Sequence, residues 1–199
     1  MSNALEKLLS ENSLKFTDDG EDFTVYFEGF NYVVKRLTTR TVAMITDTSV
    51  NNTIPLYGYG FKLYDISNLI KFRDRLAYLF SKEFSDRIEK SGGKIVYGSN
   101  DFFLDLGKTT IHIRISYDLK FYANATVRVA GRGTIESVEV TPEVFCTVDE
   151  AISNCLKSIQ TRIGEVRKNL SSASINAASF ETKFIVNGAL DVRSQTVGC

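Results

Sequence analysis

The order of elements constrains this chain more than any single motif. Residues 13–64 read as about four strands, and residues 65–91 as one long amphipathic helix. Residues 94–141 read as about four strands again, and residues 147–170 as a second long helix. This order implies an α+β fold of two ββββα repeats, with antiparallel sheets packed against two long helices. The repeats, 13–91 and 94–170, would form one domain. A short helix within residues 1–12 precedes it, and a Ser/Ala/Asn-rich linker and tail, 171–199, follow.

Residue periodicity supports each assignment. Phe23, Val25 and Phe27 alternate with Thr24, Tyr26 and Glu28, the period of a half-buried strand. The strongest strand signal is 109–129. Its odd positions run apolar from Ile111 to Val129, whereas its even positions include His112, Arg114, Lys120, Tyr122 and Arg128. Twenty-one residues exceed one ordinary strand, so a turn is expected near Tyr117-Asp118, in a hairpin whose halves share one phase. Residues 134–141 read as a further strand.

The first helix carries an apolar stripe of Ile66, Leu69, Ile70, Leu76, Leu79, Phe80, Phe84 and Ile88. Asp65 or Ser67 is expected to cap its start, and Gly92-Gly93 to end it. The second helix opens on Thr147-Val148-Asp149-Glu150, a capping box. Its stripe is Ile152, Cys155, Leu156, Ile159, Ile163, Val166 and Leu170.

The net charge is zero, but the charges are segregated along the chain. Residues 1–30 carry a net −5, residues 31–133 a net +7, residues 134–150 a net −5 and residues 151–199 a net +3. A basic centre between acidic flanks suggests a localised positive surface. No apolar run reaches the ~18 residues of a membrane span. The acidic, amphipathic start MSNALEKLLSEN is not a secretory signal, so a soluble, cytoplasmic protein without a membrane partner is expected.

Catalytic and metal-binding patterns fail on spacing or on number. His112 is the sole histidine, and Cys146, Cys155 and Cys199 are scattered, so neither a zinc site nor a disulfide framework is expected. Gly107-Lys108-Thr109-Thr110 resembles the end of a phosphate-binding loop, but Phe102 stands where that motif needs its first glycine. A hairpin turn is the better reading. Gly58-x-Gly60 lacks a third glycine, and the pair Asp101 and Asp105 reads as turn carboxylates. The expectation is a non-enzyme with no cofactor and no metal.

What remains is a set of cations and aromatics interleaved on strands: Tyr32, Lys35, Arg36, Arg40, Tyr57, Tyr59, Lys62, His112, Arg114, Lys120, Tyr122 and Arg128, with Arg132 just beyond. Such a mix suits single-stranded RNA or DNA, because bases stack on aromatic faces and cations follow the phosphates. An ordinary solvated sheet face has a similar composition. The other reading is a structural or interaction protein, such as a virion component or a host-factor inhibitor.

The doubled ββββα order over residues 13–170 resembles the PUR and Whirly families, whose phage-encoded Whirly-like members bind RNA. The plant Whirly signature KGKAAL is absent, and the resemblance is one of topology. It implies curved antiparallel sheets that bind single-stranded nucleic acid, and assembly as a homo-oligomer. No binding residue is carried over from it.

Overall fold

In a computed structural model of the chain, period-two alternation becomes strands and period-3.6 stripes become helices. The structure describes residues 3–57, 63–98, 102–116, 118–130 and 135–172. The fold is α+β, with a mostly antiparallel sheet and five helices among the described residues. Two compact units form. The first comprises the described residues of Met1–Ser85, Tyr97–Phe102 and Arg114–Lys120, and the second those of Asp86–Val96, Phe103–Ile113 and Phe121–Cys199.

The first unit begins with α1 (Asn3–Glu11), which buries Leu5 and Leu9 four residues apart. An antiparallel meander follows: β1 (Lys15–Asp18), β2 (Asp22–Tyr26), β3 (Asn31–Arg36), β4 (Thr41–Thr46) and β5 (Thr53–Leu56). That is five strands where about four were expected. The Thr17–Asp22 turn holds itself with carboxylates. Asp18 accepts the Gly20 N–H at 3.1 Å, and Asp19 accepts those of Glu21 and Asp22 at 3.0 and 2.7 Å. Gly20 sits at φ 94, where a side chain would be strained. Phe23, Val25, Phe30, Tyr32, Val34 and Ile45 fill the core behind the sheet.

The expected helix over 65–91 is three helices: α2 (Leu63–Lys71), α3 (Arg73–Tyr78) and α4 (Lys82–Lys90). Asp65 and Ser67 therefore lie inside α2 rather than at its cap. The first break is at Phe72, whose backbone sits at φ −110, ψ 15, outside the helical region. The second spans Leu79 to Ser81, where N–H groups bond three residues back instead of four. There the Ser81 hydroxyl donates to the Tyr78 carbonyl at 2.7 Å and accepts the Phe84 N–H at 3.1 Å. It thus serves as the N-cap of α4. The Tyr97 hydroxyl donates to the Leu79 carbonyl at 2.7 Å, and its ring lies between those of Phe80 and Phe102.

Gly92-Gly93 ends α4 as expected. Gly93 N–H reaches the Ile88 carbonyl at 3.0 Å and Gly92 N–H the Glu89 carbonyl at 2.8 Å, with Gly92 at φ 75. These paired bonds satisfy the last carbonyls of the helix. A Cβ on Gly93 would collide with the Leu106 side chain.

The remaining strands pair in the order β6, β7 (Phe102–Leu106), β8 (Thr109–Ile115), β9 (Phe121–Ala130), β10 (Ile135–Phe145), most of their residues falling in the second unit. Strand β6 covers Lys94–Tyr97. Gly107-Lys108 is the two-residue hairpin loop between β7 and β8, with Gly107 at φ 79 and its N–H on the Asp105 carboxylate at 3.0 Å. Strands β8 and β9 share one phase. Ile111, Ile113, Phe121, Ala123, Ala125 and Val127 are all buried, while His112, Tyr122, Asn124 and Thr126 are not.

Strand β10 runs to Phe145, beyond the expected end at 141. Its register with β9 shifts between Val140 and Glu143, so Thr141-Pro142 forms a bulge that admits a residue without an N–H. Helix α5 (Val148–Ser172) packs on β9 and β10. Its capping box is formed, with Glu150 N–H on Thr147 Oγ1 and Thr147 N–H on Glu150 Oε2, both at 3.2 Å. Ile152, Cys155, Leu156, Ile159 and Ile163 are its buried stripe. Arg87 near the end of α4 meets Asp149 in the first turn of α5 at 2.7 Å. No helix among the described residues is long and apolar enough to cross a membrane.

Candidate nucleic-acid interface

The cations and aromatics singled out by sequence meet different fates. In the first unit, Tyr32 is completely buried on β3 and belongs to the core, so it offers no face to a ligand. It lies among four consecutive buried residues, Asn31 to Val34, and only the last two positions of β3 are exposed. Those two are Lys35 and Arg36, and both reach carboxylates. Lys35 Nζ lies 3.7 Å from Asp22. Arg36 grips Asp18 with two N–H donors, at 2.6 and 3.2 Å, and also donates to the Gly20 carbonyl at 3.2 Å. This forked geometry is a strong form of ion pair. The Arg36 guanidinium, with the Gly20 N–H, holds the Asp18 carboxyl below the usual carboxylate range.

Arg40 is exposed in the turn between β3 and β4, where its carbonyl accepts the Leu37 N–H at 2.9 Å. Lys120 lies 3.0 Å from Asp118 in the turn that leads into β9. Leu119 in that turn is buried at φ 58, held by its N–H on the Ser116 carbonyl at 2.9 Å.

The structure brings together Tyr57 and Arg114. The Arg114 end of β8 runs parallel to β5, through the pairing of Leu56 with Ile115, and Tyr57 N–H donates to the Ile115 carbonyl at 3.0 Å. The Arg114 guanidinium then lies 5.3 Å over the Tyr57 ring, which is 40% exposed. Such a contact holds a cation and a π-face side by side at the surface.

In the second unit, His112 stands on the open side of β8. Cross-strand pairing with Phe103 brings their rings to 5.3 Å. Phe103 escaped the sequence reading because it lies in the run Phe102-Phe103-Leu104, where the alternation is hidden by two adjacent aromatics. Tyr122 on β9 is 38% exposed and pairs across to exposed Val144 on β10. Arg128 lies on β9. Tyr59, Lys62 and Arg132 lie outside the described residues, as do Gly58, Gly60, Asp101, Tyr117 and the tail from 173 onward.

Asp105 holds the hairpin turn, as its reading as a turn carboxylate implies, and lies 3.6 Å from Lys94. Among the described residues, no three His, Cys, Asp or Glu side chains gather as a metal site. No family model matches this chain, and no curated protein or solved structure is significantly similar to it.

Proposed function

We propose that this chain is a non-catalytic, single-stranded nucleic-acid-binding protein that takes RNA or DNA on open sheet faces. It would act in the cytoplasm as a homo-oligomer. The observation that carries this reading is the Arg114 guanidinium over the half-open Tyr57 ring. A base can stack on such a ring for ~1–3 kcal/mol, while the guanidinium meets the adjoining phosphate. The His112–Phe103 ring pair and exposed Tyr122 support it in the second unit. In the same reading the two strand groups, each followed by helix, are ββββα-type repeats of the PUR and Whirly kind, each with one strand added. The element order supports that comparison.

Titration of labelled oligo(dT) and oligo(U) against the full chain tests the proposal. Binding is expected at micromolar protein in low salt. Its affinity should fall with a slope of about −0.7 per phosphate contact in log–log form. Arg114→Ala with Tyr122→Ala should weaken binding at least tenfold with an unchanged melting temperature. Absence of binding in low salt rejects the proposal.

One observation favours the other reading, a structural or protein-interaction role such as a virion component or host-factor inhibitor. Lys35, Arg36 and Lys120, three of the candidate cations, face carboxylates of this same chain. A chain that ignores both oligonucleotides yet forms a defined assembly would support that role.

A further inference from the structure

We infer that the α2–α3 junction, centred on Phe72, is a second contact point for single-stranded nucleic acid, separate from the sheet residues. This rests on the nucleic-acid reading above. By spacing, Phe72 continues the apolar line of Ile66 and Leu69 toward Leu76. Those three are buried, whereas Phe72 is only half-buried. The helix breaks at this residue, and its ring is met by cations. Lys71 Nζ lies 5.1 Å from the ring centroid and Arg75 Cζ 4.9 Å. Arg73 is also exposed, and its ion pair with Asp74, at 3.8 Å, involves a carboxylate left 99% in solvent. Exposed pairs of this kind hold weakly. Residues 71–75 therefore hold three cations and one carboxylate, with two of the cations, Lys71 and Arg75, over a half-open aromatic ring.

The charge is complementary to a polyanion, and the ring narrows the class of polyanion. An acidic peptide would use the cations alone. A nucleic acid strand uses both, because its phosphates draw Lys71 and Arg75 off the ring and a base takes their place on it. Lys71 and Arg75 are exposed and sit on flexible stems, so the exchange needs no backbone movement. The backbone is already fixed there: Phe72 N–H donates to the Asn68 carbonyl at 2.9 Å, and the Phe72 carbonyl accepts the Leu76 N–H at 3.2 Å.

The test uses the full chain, labelled oligo(dT) and oligo(U), and three variants. Lys71→Gln with Arg75→Gln should lower affinity at least tenfold and flatten the salt slope by about 1.4, the share of two phosphate contacts. Phe72→Leu, which keeps an apolar side chain, should lower affinity about tenfold while leaving most of the salt slope. Arg114→Ala with Tyr122→Ala reports on the sheet faces in parallel. Losses in both Phe72-site variants establish the contact. If wild type binds, the sheet variant loses affinity and both Phe72-site variants bind as wild type, this inference falls and the proposed function stands. If only the glutamine pair loses affinity, the ring takes no base and the inference falls, leaving an acidic partner as the better occupant. If wild type binds neither oligonucleotide, both fall together. Melting temperatures of the glutamine pair, both exposed positions, guard against loss of fold.

Discussion

At the scale of single residues, surroundings decide what each side chain can do. Cys155 and Cys146 are nine positions apart and differ sharply. Cys155 is buried under the α5 stripe, where burial, with Glu143 nearby, pushes its thiol up to about 12. Cys146 is exposed just before the capping box. A thiolate-seeking reagent at neutral pH should therefore modify Cys146 quickly and spare Cys155 until the chain unfolds. Peptide mapping after brief alkylation checks this, and equal labelling of the two peptides in the native protein would refute the burial of Cys155. The stripe spacing alone pointed to the buried state of Cys155. Tyr32 shows the opposite case. Polar Asn31 precedes it and polar Lys35 closes the run, so alternation gave no warning that residues 31–34 are buried in succession. Its burial depends on what packs on both faces of β3, which is tertiary information.

Elements held where a local rule was strong, and shifted where two local rules competed. The capping box at Thr147 is visible in four letters of sequence and forms as read. Thr147→Ala should cost about 1 kcal/mol of stability, measured by urea denaturation with an unchanged m value. Thr147→Ser should restore most of it. The helix over 65–91 was harder to read. Its apolar stripe continues through Ser81, and nothing in the periodicity marks a break. The hydroxyl of Ser81 supplies one by bonding the turn before it and capping the turn after it. Serine inside a helical pattern competes with the backbone in this way, a tendency that spacing alone does not report. The final extension of β10 was hidden because Pro142 reads as a strand terminator, whereas a bulge accommodates it.

At the scale of the whole molecule, the segregated charges of the sequence partly cancel in three dimensions. Asp18 and Asp22, from the acidic first block, take Arg36 and Lys35 from the basic centre. Asp149, from the second acidic block, takes Arg87. A map of charge along the chain could not reveal this, because each pair is made by strand register or helix packing rather than by neighbours in sequence. Among the described residues, a cation lies over an aromatic ring at Arg114 with Tyr57 and at Lys71 and Arg75 with Phe72. The Asp18 pairing also sets a pH dependence. Its folded-state carboxyl ionises at lower pH than an unfolded one, chiefly through Arg36. Its stabilising effect is therefore complete above the ordinary Asp range of about pH 4 and is lost as pH falls through the lower folded value. Thermal melts from neutral to acidic pH should show a shallower acid loss for Arg36→Leu than for wild type, and identical profiles would argue against the pairing.

The bulge in β10 has a consequence for how copies of this protein meet. Among the described residues β10 pairs only with β9, so no described strand takes the row of backbone donors and acceptors on its other edge. Such a row is a template on which a second chain can zip, and a third on that. Pro142 carries no N–H and the bulge interrupts the regular register, so the strand is not a uniform template for such a ladder. One missing hydrogen and one extra residue thus make the last strand a poor template for fibril growth.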